Sequence, residues 1–239
     1  MKLLEEVLKK HIAPPDIPAA LERFRFLREE IKKRNETVNL TAITGDDGIE
    51  VRHFIDSLAA IDAGIGPDDS LLDVGAGAGL PGLAIKIALP RLKLSLAESV
   101  QKKAAFIADA ARALGFDDVS VYPVRSEDLP PELRETFDTV CARALAKPPV
   151  AAELMLPWAK VGGRCLLYAA SSVKSDGLSR VCAELGGEVS AEIDYALPPE
   201  PSRGGDGPSA RKIIVIRKIR PSPVKYPRRA GLAAKAPLI

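Results

Sequence analysis

The chain has 239 residues, 46% hydrophobic and 28% charged, and a formal net charge of +2. This is the composition of a folded globular protein, and no apolar run reaches the eighteen or so residues that a membrane helix requires. Cys141, Cys165 and Cys182 are odd in number and far apart, which suits buried reduced thiols in a cytoplasmic protein and argues against a zinc site.

The start, "MKLLEEVLKKHIAPPD", is amphipathic and contains acids, unlike a secretory leader. Helical spacing runs over 2–10 and again over 17–34, where Ile17, Leu21, Phe24, Leu27 and Ile31 recur every three or four residues among Arg23, Arg25 and Arg28. "NETVNLTAITGDDG" breaks the pattern, and a third helix is predicted over 48–63. Residues 1–64 thus read as a helical cap without strands.

From residue 65 the pattern changes. The strand-length runs "SLLDV", "LKLSLAE", "VSVYPV", "FDTVCA" and "GGRCLLYAA" alternate with helical stretches over 80–89, 100–114, 148–160 and 173–185. Such alternation predicts a parallel sheet covered on both faces. Two further strands, near 187–195 and 211–219, are joined by a segment too short for a crossover helix, so they should form an antiparallel hairpin. The fold class is α/β, a Rossmann-like, mostly parallel sheet with an antiparallel terminal strand, comprising 65–220 behind the N-terminal helical cap. Residues 221–239 form a basic tail.

The net charge conceals an asymmetry. Residues 203–239 hold ten Lys/Arg and one acid, which leaves 24 basic and 31 acidic residues in 1–202. The body is −7 and the end +9, the pattern of a polyanion-binding tail or of a solubilising terminus.

The first strand ends in "LLDVGAGAGLPG", with four glycines in eight residues. In an open parallel sheet ligands bind at the carboxyl ends of the strands, where absent side chains let a ligand lie on the main chain. Glu98, at the end of the second strand, is placed to accept both hydroxyls of a ribose. "GAGLPG" satisfies the dinucleotide fingerprint and keeps a nicotinamide oxidoreductase in view. The fuller pattern, Asp73 followed by Gly75, Gly77 and Gly79, is typical of class I S-adenosylmethionine-dependent methyltransferases, as are "FDTV" as a fourth strand and the antiparallel ending. S-adenosyl-L-methionine is the cofactor expected.

"NLTAI" at 39–43, "RHFIDSL" at 52–58, "DVGAGAGLPG" at 73–82, "FDTVCARALA" at 137–146 and the "KYPRRAG…APLI" tail together resemble the glucose-inhibited division protein B family, the bacterial 16S ribosomal RNA (guanine-N7) methyltransferases. The similarity runs essentially end to end. It implies transfer of a methyl group from S-adenosylmethionine to N7 of a guanine in small-subunit ribosomal RNA, free or within the assembled subunit, without a metal. It also implies Gly75 and Leu80 as cofactor-loop contacts, Ser126 and Glu127 beside the adenine, and Arg143 beside cofactor and entering base. Many members carry a lysine after the fifth strand; here the run is "YAASS", and Lys174 is the nearest lysine.

N7 of guanine has a free lone pair, so the displacement needs alignment and no general base. Arg143 can hold guanine O6 or a phosphate as the catalytic positioning group, or else form a buried ion pair with Asp73 or another loop acid. His53 reads either as an RNA contact with Arg52 or as a structural partner of Asp56. In the tail, Lys225, Arg228 and Arg229 are candidate phosphate contacts, and truncation after Arg220 should weaken RNA binding and leave the cofactor site intact. Two other readings remain: a small-molecule methyltransferase, and a non-catalytic nucleotide-binding regulator.

Overall fold

A computed structural model describes residues 1–175, 177–203 and 207–238. Its sheet runs β1 (Ser70–Val74), β2 (Lys93–Ala97), β3 (Ser120–Tyr122), β4 (Phe137–Arg143), β5 (Ala159–Ala170), β6 (Gly187–Leu197) and β7 (Ser209–Lys218). The spatial order is β3-β2-β1-β4-β5-β7-β6. The pairs from β3 to β5 are parallel, and β7 is antiparallel to both neighbours, with Ala170 opposite Arg211 and Arg211 opposite Tyr195. The expected α/β sheet with an antiparallel final strand is therefore present. Strand order reverses between β1 and β4, which opens a crevice at their carboxyl ends.

The cap contains α1 (Lys2–Leu8), α2 (Ile17–Asn35), α3 (Asp46–Gly48) and α4 (Asp56–Asp62). The predicted third helix is helical, but Ile49–Ile55 between α3 and α4 is wound as a π-helix, a form that hydrophobic spacing cannot distinguish. The apolar stripe of α2 (Leu21, Phe24, Leu27, Ile31) shares one core with α5 (Gly82–Ala88), α6 (Gln101–Ala113) and one sheet face. On the other face α7 (Pro148–Met155), α8 (Leu178–Leu185) and Tyr226 form the second core.

Two predicted helices are shorter than expected. Residues 148–160 divide into α7, a tight turn over Leu156–Trp158 and the start of β5, because Pro157 cannot continue the helix. The helix expected over 173–185 begins at Leu178, after Gly177 at φ 77°; Asp176 lies outside the described residues. The three cysteines are buried free thiols, and no helix among the described residues is long and apolar enough to cross a membrane.

All seven residues of α5 are buried, and its one charge, Lys86, is tied down. The ammonium donates to Pro90 O at 2.8 Å, Leu92 O at 2.7 Å and Asp118 at 2.7 Å. Replacing it strands two carbonyls, each costing about 1–3 kcal/mol when buried and unpaired. Lys86→Met is expected to lower unfolding stability by about 2–4 kcal/mol, measured by urea denaturation.

Candidate active site

The loop after β1 is held by two buried acids. Asp73, fully buried, accepts from the Gly82 N–H at 2.8 Å through Oδ2. This ties the end of β1 to the first turn of α5. Glu98 (7% exposed) accepts from Gly77 N at 2.8 Å and from Val100 N at 2.8 Å, and so joins the loop to the end of β2. Gly75, Gly77 and Gly79 all take positive φ, at 73°, 58° and 80°, a conformation that other residues rarely adopt. A Cβ on Gly82 would lie 3.0 Å from the Asp73 carboxylate. Any side chain at Gly82 would crowd that carboxylate together with Leu94 and Leu96.

Two clefts open on either side of Gly75. One, of about 190 Å³, is lined by Val74, Gly75, Ala97, Ser126, Glu127 and Leu154, and on its outer side by Gly231, Ala233 and Ala234. The other, of about 260 Å³, is lined by Thr41, His53, Gly77, Leu80, Arg143 and Ala144. Beyond Arg143 lies a third, of about 270 Å³, between Asp56, Ala144, Tyr168, Ala170, Tyr195 and Arg211. Arg143 thus separates the loop side from the β5–β6 side. Ala144 follows it at φ 55°, a strained value for alanine, and lines both of these clefts.

Arg143 is clasped by the cap. Nη1 donates to Asp56 at 3.0 Å and to the carbonyls of Arg52 and His53, both at 3.2 Å, on the π-helical turn. The ion pair considered from sequence is therefore real, but its acid is Asp56 in the cap. Asp56 also accepts from the Tyr195 hydroxyl at 2.7 Å. The His53–Asp56 contact expected from helical spacing is replaced by His53 Nε2 to Thr41 Oγ1 at 2.8 Å. Burial, with Arg143 and Arg52 adding repulsion, lowers the His53 pKa to about 3, so the ring is neutral near pH 7.

The other candidates are dispersed. Arg52 pairs with Glu200 at 2.7 Å at the cap surface. Ser126 is buried beside Glu127 on the turn after β3. In the tail, Arg228 forms a close two-pronged pair with Glu153 of α7, and Lys225 lies 3.3 Å from Glu184. Arg229 is exposed and has no ion pair among the described residues. Further along the tail, Gly231, Ala233 and Ala234 line the cleft of about 190 Å³ beside Gly75. Sequence spacing does not single out Tyr168, Tyr195 and Arg211, which stand on three different strands and meet only through the topology, or Thr41, which meets His53 from a loop.

The arrangement favours a nucleoside over a dinucleotide. A pyrophosphate would need the free N–H groups at the start of α5, where the Asp73 carboxylate already occupies the Gly82 amide. S-adenosylmethionine has no pyrophosphate and carries a positive sulfonium, so a loop braced by Asp73 and Glu98 suits it. Burial raises the Asp73 pKa to about 7, against the opposing pull of the Gly82 N–H and Arg143. Between about pH 4 and 7 the folded protein therefore keeps a proton that the unfolded chain releases, and stability falls as pH rises. Asp73→Asn keeps an acceptor for Gly82 and should remove that slope, gaining on the parent protein up to pH 7 by on the order of 1 kcal/mol per pH unit. Thermal unfolding of both proteins without cofactor across pH 4.5–7.5 measures the difference.

Comparison with known proteins agrees with this geometry. Residues 20–184 match the family model GidB, described as rRNA small subunit methyltransferase G. A protein of that name from Dehalococcoides mccartyi (strain CBDB1) is 39% identical over 223 residues, 92% of each chain. One from Roseiflexus sp. (strain RS-1) is 40% identical, covering 91% of this chain and 92% of its own. Among solved structures, M. jannaschii TYW2 in complex with AdoMet shares the fold with a TM-score of 0.54 at 13% identity, over 70% of this chain and 76% of that one. A precorrin-6y C5,15-methyltransferase from Geobacter metallireducens gives 0.51 at 15% identity, over 69% and 87%. A crevice at the β1–β4 reversal, a glycine loop braced by two acids and a family match across most of the sequence lead to one assignment: the chain belongs to the GidB family of small-subunit rRNA methyltransferases.

Proposed function

We propose that this protein carries out its family's reaction, methyl transfer from S-adenosylmethionine to N7 of a guanine in 16S ribosomal RNA, at the β1–β4 crevice. The observation that carries the reading is the placement of Arg143 between the glycine-loop cleft and the cleft of Tyr168, Tyr195 and Arg211. S-adenosylmethionine, when bound, supplies an electrophilic methyl group on a sulfonium. Asp73, Gly75, Gly77, Gly79 and Leu80 would shape the loop that receives it, Glu98 would take the ribose hydroxyls, and Ser126 and Glu127 would border the adenine. The substrate places the reaction in the bacterial cytoplasm.

The target guanine is assigned to the third cleft. Guanine N7 carries a free lone pair and no proton, so the residues around it would have no proton to remove. What the protein must supply is alignment, which can be worth factors of about 10⁵–10⁸ M in effective concentration. Arg143 has Nη1 committed to the cap, which leaves Nη2, with only a 3.5 Å contact to His53 Nδ1, for guanine O6 or a phosphate. Arg211, without an ion pair among the described residues, adds a cation on the far side of the same cleft. His53, bonded to Thr41 and neutral, orients the cap and is too weak a base to take a proton.

Two measurements test the reading. Glu98→Ala should lower S-adenosylhomocysteine affinity at least tenfold in a folded protein, since hydrogen bonds to a charged group contribute about 1.5–3 kcal/mol each; calorimetry with an unchanged dissociation constant would remove Glu98 from the site. Single-turnover methylation under saturating RNA and cofactor should be flat from about pH 6.5 to 8.5, because no group has to lose a proton. A rise with unit slope would instead make a general base necessary.

A further inference from the structure

The chain beyond β7 is folded back onto the body, and it lines the cleft that Ser126 and Glu127 border, where the reading above puts the adenine. Arg134 donates to the carbonyls of Ser222, Pro223 and Tyr226. The Tyr226 ring is 2% exposed within the second core. Arg228 is fastened to Glu153, itself 1% exposed, through Nε at 2.7 Å and Nη2 at 2.5 Å, and Nη2 also donates to Ala236 O at 2.9 Å. Ala233 packs on Val150 and Leu154 of α7. Between these anchors the Gly231 N–H donates to Glu127 Oε1 at 2.9 Å, while Glu127 Oε2 lies 3.3 Å from the Ser126 hydroxyl.

We propose that residues 226–236 are a cofactor-binding element: Gly231, Ala233 and Ala234 wall the adenosine cleft, and the Gly231 amide positions the Glu127 carboxylate. Three observations support this. The wall residues Gly231, Ala233 and Ala234 present nothing larger than a methyl group to the cleft. Glu127 sits on a three-residue turn with little else to orient its side chain, and the tail amide fixes one oxygen. Arg228 is fastened to Glu153 through Nε and Nη2, and that pair anchors the tail on α7. Arg228 therefore acts on the cofactor indirectly, as a positioning residue.

The inference rests on reading this cleft as the adenosine site, and the experiment separates the two. Truncation after Ala230 keeps Tyr226 and the Arg228–Glu153 pair and removes the wall together with one cation, Lys235. S-adenosylhomocysteine affinity, by calorimetry, should fall at least fivefold. The salt dependence of RNA binding should change by no more than about one phosphate contact, a slope of about 0.7–0.9. On the intact protein, S-adenosylhomocysteine should slow hydrogen exchange at the amides of 231–236, a readout that needs no variant. If the intact chain binds S-adenosylhomocysteine and neither the truncation nor the exchange responds, the tail inference is overturned, while loss of affinity in Glu98→Ala would still support a cofactor site on the glycine loop. If the intact chain does not bind it, both fall.

Discussion

The carboxylate of Asp56 is shared between Arg143 at the end of β4 and Tyr195 on β6, and much of the architecture turns on that sharing. The two partners stand on strands separated in the sheet by β5 and β7, so one cap side chain spans the floor of a cleft. Breaking such a pair leaves a buried charge without compensation, which costs far more than the pair adds. The cap is thus bound to a definite position over the strand ends, and the position of Arg143 follows from it. The π-helical turn serves the same end, because it presents the carbonyls of Arg52 and His53 to the guanidinium. With Nη1 taken by three acceptors, the guanidinium presents its Nη2 edge to the clefts on either side.

The glycine loop is organised by opposite means. The carboxyl groups of Asp73 and Glu98 accept from backbone N–H groups, and among the described residues no cation lies at hydrogen-bonding distance of either. Hydrogen bonds to ionised acceptors are stronger than neutral ones, and here they set the loop shape before any ligand arrives. For Asp73 burial outweighs that stabilisation, and the carboxyl is held partly protonated near neutral pH. Preorganised loops of this kind spare the ordering cost that binding would otherwise carry.

The strands and the loop were legible because their signals are local. Apolar runs of five to nine residues marked β1 to β5, and the acid–glycine pattern in 73–79 marked the crevice. The short joint between the last two strands was enough to make them antiparallel. What could not be read is long-range or depends on backbone choice. Nothing near Asp56 indicates a tyrosine 139 positions later, and the spacing that suggested His53–Asp56 fits an ordinary α-helix, whereas the turn is π. The positive charge of the tail was visible, but not that Glu153 and Glu184 stand opposite Arg228 and Lys225. A charge count shows how many cations a segment holds, and only the fold shows how many of them are free.

The contact between Gly231 and Glu127 spans 104 positions, and this orders events during synthesis. A ribosome releases the glycine loop, β4 and the Glu127 turn well before the segment that walls the cleft. The nascent chain can form the β1–β4 crevice early, since its strands and helices are near neighbours in sequence. For as long as the C-terminal segment remains in the exit tunnel, that crevice is open on its outer side. The cleft is therefore completed by contacts that form long after its other walls have been synthesised.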